Sequence, residues 1–207
     1  RLAPDCGLLV AELWPEDVAS DQASDVAHRA VNGLGDGYLV FQVGRYPAWR
    51  LVPHLAEQLR EIHRETGLAI LLLPLGQAPG HEDVVPLERI SVLLGDLPVT
   101  VLSSPHVIDI VFAISNAGLF VGSSLHGNLT ALAYGVPHVG FGARVTKLDQ
   151  VLRTWDATCP DGTVLPDRIA AAALAATRLD RDTLAAARAR TTAAARKTIK
   201  DVAAILG

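Results

Sequence analysis

Residues 68–75 read LAILLLPL, a continuous apolar run. A run of this length without polar alternation is typical of a parallel strand that is buried on both faces. It follows residues 48–65 and precedes residues 84–95, and both of these segments have the apolar spacing of a helix. In the first segment the apolar face is formed by Leu51, Leu55, Leu59 and Ile62. The centre of the sequence therefore predicts a helix, a buried strand and a second helix.

Short apolar runs alternate with helical segments along much of the chain. Further strands are predicted at residues 37–44, 99–102, 119–121 and 137–141, and further helices at residues 105–116 and 126–134. Strand–helix units of this length are typical of parallel strands that are joined by right-handed crossovers. The sequence therefore predicts an α/β fold: a doubly wound, Rossmann-like parallel sheet with helices on both faces.

The chain divides into three predicted parts. Residues 1–36 form either a strand–helix unit (strand near 8–13, helix near 17–34) or the remnant of a partner domain. Residues 37–165 form the Rossmann-like domain, in which we expect the ligand to bind beyond the carboxyl ends of the strands. Residues 166–207 form an alanine-rich helical extension, whose helices we expect to pack back on the domain through Ile199, Val202 and Leu206. The basic residues of this extension suggest either a solvated helix face or contact with an acidic surface.

Composition excludes several classes of protein. The 207 residues carry 18 Lys and Arg against 22 Asp and Glu, a formal net charge of −4, so nucleic acid is not an expected partner. Half of the residues are hydrophobic, which excludes disorder, and no apolar run reaches the about 18 residues that a membrane span needs.

The cysteines and the N-terminus bear on location and completeness. Cys6 and Cys159 are far apart and form no CxxC pair, so the spacing predicts neither a structural zinc site nor any other metal site. We expect a reduced, cytoplasmic setting, although the two cysteines could still pair. The chain starts at Arg1 without a methionine, so an N-terminal domain could be missing.

The strongest local indication of a binding site is residues 120–128, FVGSSLHGN. A buried strand leads through the turn Gly122–Ser123–Ser124 into a helix, whose first N–H groups and partial positive charge favour an anion. We expect Gly122 and Gly127 to permit close approach of a ligand, and His126 to exchange a proton with it or bind its phosphate. In the alternative interpretation, the serines only cap the helix and His126 is a packed, hydrogen-bonded histidine.

Two other strand ends carry candidate side chains. Arg45 follows the strand at residues 37–44 and could grip a phosphate or carboxylate, or be an exposed loop arginine. In the loop at residues 76–83, His81, Glu82 and Asp83 could contact a sugar or serve as an acid/base group. Alternatively, this is a surface loop in which Asp83 caps the next helix. Lys147 could approach an anion or face water.

Residues 119–147, LFVGSSLHGNLTALAYGVPHVGFGARVTK, resemble the signature region of the polysaccharide pyruvyl transferases. That family has a strand, a Ser-Arg-Leu-His segment that opens a helix, a Gly-Val-Pro and then a lysine. The resemblance implies a glycosyltransferase-B-like enzyme of which this chain is mainly the C-terminal domain. Such enzymes transfer pyruvate from phosphoenolpyruvate to two hydroxyls of a saccharide as a ketal, releasing phosphate without a cofactor. The saccharide could be lipid-linked.

The motif assigns roles to particular residues. Arg45, Leu125 and His126 fall on donor-binding positions, with His126 also the acid/base candidate, and the Gly122–Gly127 turn and Lys147 lie beside them. The family's arginine is Ser124 here, which removes a charge-assisted bond worth about 1.5–3 kcal/mol unless Arg45, Arg144 or Lys147 compensates.

Two alternatives remain. One is a glycosyltransferase that uses a nucleotide-sugar, although residues 127–134 lack the acid expected to hold a ribose. The other is a non-catalytic domain that binds an anionic glycan, which the serine at position 124 keeps open.

Overall fold

The five strands form one sheet in which every neighbouring pair is parallel. The computed structural model describes residues 3–35, 37–44, 50–80, 82–142 and 146–206. The strand order is β3-β2-β1-β4-β5. The strands are β1 (Tyr38–Gln42), β2 (Ala69–Leu72), β3 (Val99–Val101), β4 (Leu119–Gly122) and β5 (His138–Gly140). The predicted doubly wound sheet is confirmed.

The helices follow the sequence pattern in the centre of the chain and depart from it at the ends. The described helices are α1 (Val10–Leu13), α2 (Glu16–Gln22), α3 (Asp25–Asn32), α4 (Val52–Thr66), α5 (Val84–Leu93), α6 (Val107–Ser115), α7 (Leu125–Tyr134), α8 (Lys147–Trp155), α9 (Ile169–Ala176) and α10 (Arg181–Leu206). Helices α4 to α7 lie where the periodicity predicts them, whereas α8 was not predicted. None of the described helices combines the length and apolar character that crossing a membrane requires.

The predicted strand near residues 8–13 is wrong. This segment is a 3-10 turn, Cys6–Leu9, followed directly by α1. The Asp5 carboxylate starts the turn by accepting a hydrogen bond from Gly7 N at 2.7 Å, and Leu8 is buried among side chains of α7 and α10. A short apolar run is compatible with a strand or with a helical turn. Here the run packs against two helices, and this packing favours the turn. The predicted helix at 17–34 is broken in two, because Ser24 caps a new helix at α3.

Alternate residues of β1 point into two separate cores. Leu39 and Phe41 pack on the face covered by α4, α5 and α9. Tyr38 and Val40 pack on the opposite face, which is covered by α6, α7 and the N-terminal helices. All four side chains are less than 5% exposed, so the central strand is buried on both sides as its continuous apolar sequence indicates.

The C-terminal extension packs on the domain, but not through the residues that we expected. Helix α9 contacts α4 and β5, and α10 packs on α7 and on the Cys6–Leu9 turn. The buried residues of α10 include Leu184, Ala187, Thr191 and Ala195. Ile199 and Val202 are 48% and 50% exposed, so the prediction that they pack back is wrong. The 26-residue helix is about 39 Å long, and its last turns lie beyond its buried stretch.

Asp109 joins the N-terminal helices to α6. Its carboxylate accepts hydrogen bonds from Ser24 N at 2.7 Å and from His106 N at 3.0 Å, and its side chain is buried. Burial alone raises the pKa of Asp109, but these donors outweigh it and hold the pKa below its ordinary value.

The Asp109→Asn variant should be less stable than the wild type by about 1–3 kcal/mol at pH 7, because an amide cannot accept both bonds and leaves a buried N–H unpaired. A carboxyl group whose pKa is lowered by folding stabilises the folded protein at a pH above its unfolded pKa of about 3.9. This stabilisation is lost as the pH falls through the pKa of the folded state. Urea unfolding of both proteins should therefore show the difference shrinking below about pH 4. A difference independent of pH would contradict this assignment.

Candidate functional site

The carboxyl ends of β1 and β4 meet at the switch point of the sheet. From β1 the chain proceeds through β2 and β3 toward one edge, and from β4 it proceeds to β5 at the other edge. Gln42 at the end of β1 lies in register with Gly122 at the end of β4. Open parallel sheets bind their ligands in the crevice at this point, because the connections leave it in opposite directions.

The turn after β4 is held by hydrogen bonds that leave the start of α7 accessible. Ser124 caps α7 by accepting a bond from Gly127 N at 3.3 Å, and its own N–H donates to Gln42 Oε1 at 2.9 Å. The Asn128 amide donates to Gly122 O at 3.0 Å and to Ser124 O at 2.8 Å. The N–H groups of Leu125 and His126 have no hydrogen-bond partner among the described residues. The first turn of α7 can therefore donate to an anion.

Gly122 and Gly127 are explained by packing. A Cβ atom at Gly122 would lie 2.6 Å from Phe120 Cζ, and one at Gly127 would lie 2.4 Å from the same atom. Phe120 is fully buried, so its ring cannot move aside without disturbing the core. We expected glycine here for the approach of a ligand, but the Phe120 ring already requires it.

Asp83 performs a different task from the one that the sequence predicts. Its side chain makes no capping bond to α5. One carboxylate oxygen, Oδ2, instead accepts bonds from Gln42 Nε2 at 2.8 Å, Gly76 N at 2.9 Å and Leu75 N at 3.2 Å. Asp83 is 4% exposed and lines the cleft at the switch point. A buried carboxylate thus ties the loop after β2 to the end of β1.

The cleft has a volume of about 580 Å³ and two kinds of wall. Its polar wall includes Asp83, Ser123, Ser124, His126 and Thr130. Its apolar wall includes Val10, Trp14, Val107 and Ile110. The hydroxyl of Tyr134 donates to the carbonyl of Trp14 and so holds α1 against α7. Burial, with a contribution from Glu16, raises the pKa of Tyr134 to about 12, so this donor stays protonated.

The structure brings together part of the predicted site. His126 is exposed. It lines the cleft together with Ser123, Ser124 and Gly127. Leu125 packs beside the cluster of Leu8, α7 and α10. Glu82 is half-buried next to Asp83, and Lys147 is exposed at the start of α8; neither is among the residues that line the cleft. Arg45, His81 and Arg144 lie outside the described residues. The roles predicted for all of these residues stay predictions.

Sequence reasoning missed three contributors to the cleft. Gln42 is the polar last residue of a buried strand, and that position at a strand end was the available signal. Asp83 was named among the loop residues that could contact a sugar or act as an acid/base group, but its structural role was assigned to a helix cap. Nothing in the local sequence indicated that Trp14 lines the cleft, because it reaches the cleft only through the packing of α1 on α7.

A family model named polysaccharide pyruvyl transferase matches residues 1–143. The match spans the whole sheet, the cleft and the N-terminal helices. The chain belongs to the polysaccharide pyruvyl transferase family. The matched residues include the segment before β1, which the sequence analysis left as a separate unit or a remnant. No curated protein sequence matches the chain.

Solved structures with the same fold are distant in sequence. The UDP-GlcNAc 2-epimerase from Methanocaldococcus jannaschii, in complex with UDP-GlcNAc and UDP, is 12% identical with a TM-score of 0.64, over 87% of this chain and 49% of that one. The UDP complex of MnaA from S. aureus is 11% identical with a TM-score of 0.65, over 99% and 54%. A glycosyltransferase from Rickettsia africae is 12% identical with a TM-score of 0.56, over 99% and 56%.

These similarities show the fold and no more. They confirm the predicted Rossmann-like, glycosyltransferase-B-like architecture. The chain spans about half the length of each of these proteins.

Asp83→Ala should lower the free energy of unfolding by about 1–3 kcal/mol for each donor left unpaired, because Gln42, Leu75 and Gly76 lose one shared acceptor. Asp83→Asn keeps an oxygen for these donors and should cost much less stability. Urea unfolding of both variants checks this. Equal, small losses would show that the three bonds do not hold the strand ends together.

Proposed function

We propose that this chain forms the donor side of a pyruvyl transferase that moves pyruvate from phosphoenolpyruvate to two hydroxyls of a saccharide as a ketal. The observation that carries the proposal is the composition of one cleft wall. His126, the open N–H groups at the start of α7 and the Asp83 carboxylate all border the crevice at the switch point. This reaction needs a proton donor, a site for the anionic donor, and a base that takes the proton from the attacking saccharide hydroxyl.

The phosphate of the donor binds at the start of α7. The N–H groups of Leu125 and His126 donate to its oxygens, and the partial positive charge of the helix terminus favours the anion. The Ser123 hydroxyl lies at the same edge, where it is already positioned by Gly44 N at 3.1 Å. Arg45 adds the charge that grips the carboxylate or phosphate, as the family motif implies.

His126 begins the chemistry by donating a proton to the methylene carbon of phosphoenolpyruvate, which becomes a methyl group. The adjacent carbon becomes cationic, and the first saccharide hydroxyl attacks it while its proton passes to Asp83 or back to His126. The C–O bond to phosphate then breaks, and the second hydroxyl closes the ketal ring. Of the two hydroxyl protons, one restores His126 and the other leaves with hydrogen phosphate, so atoms and charge balance.

The acceptor saccharide, lipid-linked or free, approaches from the open side of the cleft. Related folds are about twice as long as this chain, so we propose that a second domain supplies part of the acceptor site. His81 and Glu82 are our candidates for contacts on this side, and Lys147 for a further contact to the donor. The two free cysteines, Cys6 and Cys159, agree with the cytoplasmic setting that we propose.

His126→Ala should reduce phosphate release from phosphoenolpyruvate by about 10²–10⁴-fold, because it removes the acid/base group and leaves the fold intact. The assay uses acceptor oligosaccharides from the polysaccharides of the producing organism, and a melting curve confirms folding. His54→Ala is the matched control, since His54 lies on α4 outside the cleft lining and should keep full activity. Wild-type turnover in His126→Ala would remove this residue from the mechanism.

Ser124→Arg should tighten phosphoenolpyruvate binding by about 10–100-fold, because a charge-assisted bond is worth about 1.5–3 kcal/mol. The variant loses its helix cap, which costs about 1 kcal/mol of stability. Ser124→Ala loses the same cap without gaining charge and is the control. Calorimetric titration of both variants with phosphoenolpyruvate tests this expectation. Equal affinities would contradict it and mean that the charged groups of the bound donor do not lie near position 124.

A further inference from the structure

Three side chains with metal-binding atoms lie together at the edge of the sheet opposite β3. His138 begins β5, Asp156 ends α8 and Cys159 lies in the loop that follows. Their nitrogen, oxygen and sulfur donors all lie within 4.8 Å of one another. The side chains of His138 and Asp156 are 0% and 1% exposed, and none of the three residues lines the cleft described above. This His–Asp–Cys cluster is therefore separate from the candidate active site.

The neighbours of the cluster orient its donor atoms as the outer shell of a metal site does. His138 Nδ1 bonds to the carbonyl of Val136 at 3.0 Å, which directs the other ring nitrogen, Nε2, toward Asp156 Oδ2 at 2.7 Å. Asp156 Oδ1 accepts bonds from Thr158 N at 2.8 Å and from Thr158 Oγ1 at 2.7 Å. A carbonyl behind a ligating histidine and donors behind a ligating carboxylate are usual supports of bound metal.

Space for a further ligand adjoins the cluster. A cavity of about 240 Å³ is lined by His138 and Cys159 together with Asp161, Gly162 and residues of α9. Imidazole, thiolate and carboxylate together suit zinc, which takes nitrogen at about 2.0–2.1 Å and sulfur at about 2.3 Å. We propose that His138, Asp156 and Cys159 bind one Zn²⁺ ion, with water from this cavity as the fourth ligand.

The ion would fasten a loop to the edge strand of the sheet. Strand β5 is the edge strand, and the only described pairing beyond it is the bridge between Phe141 and Val164. The loop between Asp156 and Val164 carries Cys159, so a Zn²⁺ ion bound to His138 would hold this loop against β5. Zinc binding should therefore raise the stability of this edge of the fold.

Without a metal the cluster is a buried ion pair. The Val136 carbonyl and the Asp156 carboxylate are both acceptors, so both ring nitrogens of His138 carry protons. Burial lowers the pKa of His138, but Cys159 and Asp156 outweigh it and leave the pKa well above its ordinary value. Zinc would therefore take the place of the hydrogen-bonded proton between His138 Nε2 and Asp156 Oδ2.

The test is metal titration of the chain after treatment with a chelator. We expect one Zn²⁺ per chain to survive gel filtration and to raise the melting temperature. Co²⁺ should produce a thiolate-to-cobalt charge-transfer band in the near ultraviolet.

Two serine variants decide whether the cluster is responsible. Cys159→Ser should lose the charge-transfer band and the retained zinc, whereas Cys6→Ser should keep both, because Cys6 is exposed and outside the cluster. Zinc that binds equally to Cys159→Ser would overturn the proposal. So would a wild-type chain that shows no charge-transfer band and no change in melting temperature, which would leave the metal-free ion pair as the stable form.

Discussion

The side-chain amide of Gln42 joins the strand ends on which the cleft depends. Its nitrogen donates to Asp83 and its oxygen accepts from Ser124 N, so one buried group links the loop after β2 to the start of α7. Asp83 and Ser124 each make further hydrogen bonds. Asp83 accepts bonds from Leu75 N and Gly76 N, and Ser124 caps the helix that carries His126. Loss of this amide would leave buried polar groups unpaired on both sides, which is costly in a low-dielectric interior.

The electrostatics of the cleft follow from this arrangement. No lysine or arginine is among the described residues that line the cleft, so the attraction for an anion there comes from His126 and the N–H groups of α7. Ser124 caps the helix where the family has an arginine, and a cap stabilises α7 without adding charge. The described lining of the cleft therefore supplies no Lys or Arg charge, and the proposed donor site depends on Arg45 for it.

The sequence predicted the sheet well because its central strands are continuous apolar runs bounded by helical periods. Residues 69–73 of the run LAILLLPL and LFVG at the start of the signature are buried, as a strand covered on both faces requires. The local sequence pattern gave the wrong prediction where tertiary packing determines the secondary structure or the role of a side chain. The apolar run near Leu8 is a turn because α7 and α10 bury it. The Asp83 carboxylate does not cap its helix because it accepts bonds from Gln42 on β1 and from Leu75 and Gly76 at the start of its own loop. The His138, Asp156 and Cys159 cluster was missed because its members belong to different elements.

The measurement that tests the account most directly is the melting temperature of the chain with phosphoenolpyruvate, beside inorganic phosphate and UDP-GlcNAc at the same concentrations. A ligand at about 100 times its dissociation constant stabilises the folded chain by about 2.7 kcal/mol, which a melting curve resolves. The account predicts a shift with phosphoenolpyruvate well beyond that with phosphate, because the proposed site binds the rest of the donor as well as its phosphate. A shift with UDP-GlcNAc and none with phosphoenolpyruvate would contradict it and assign the cleft to a nucleotide-sugar.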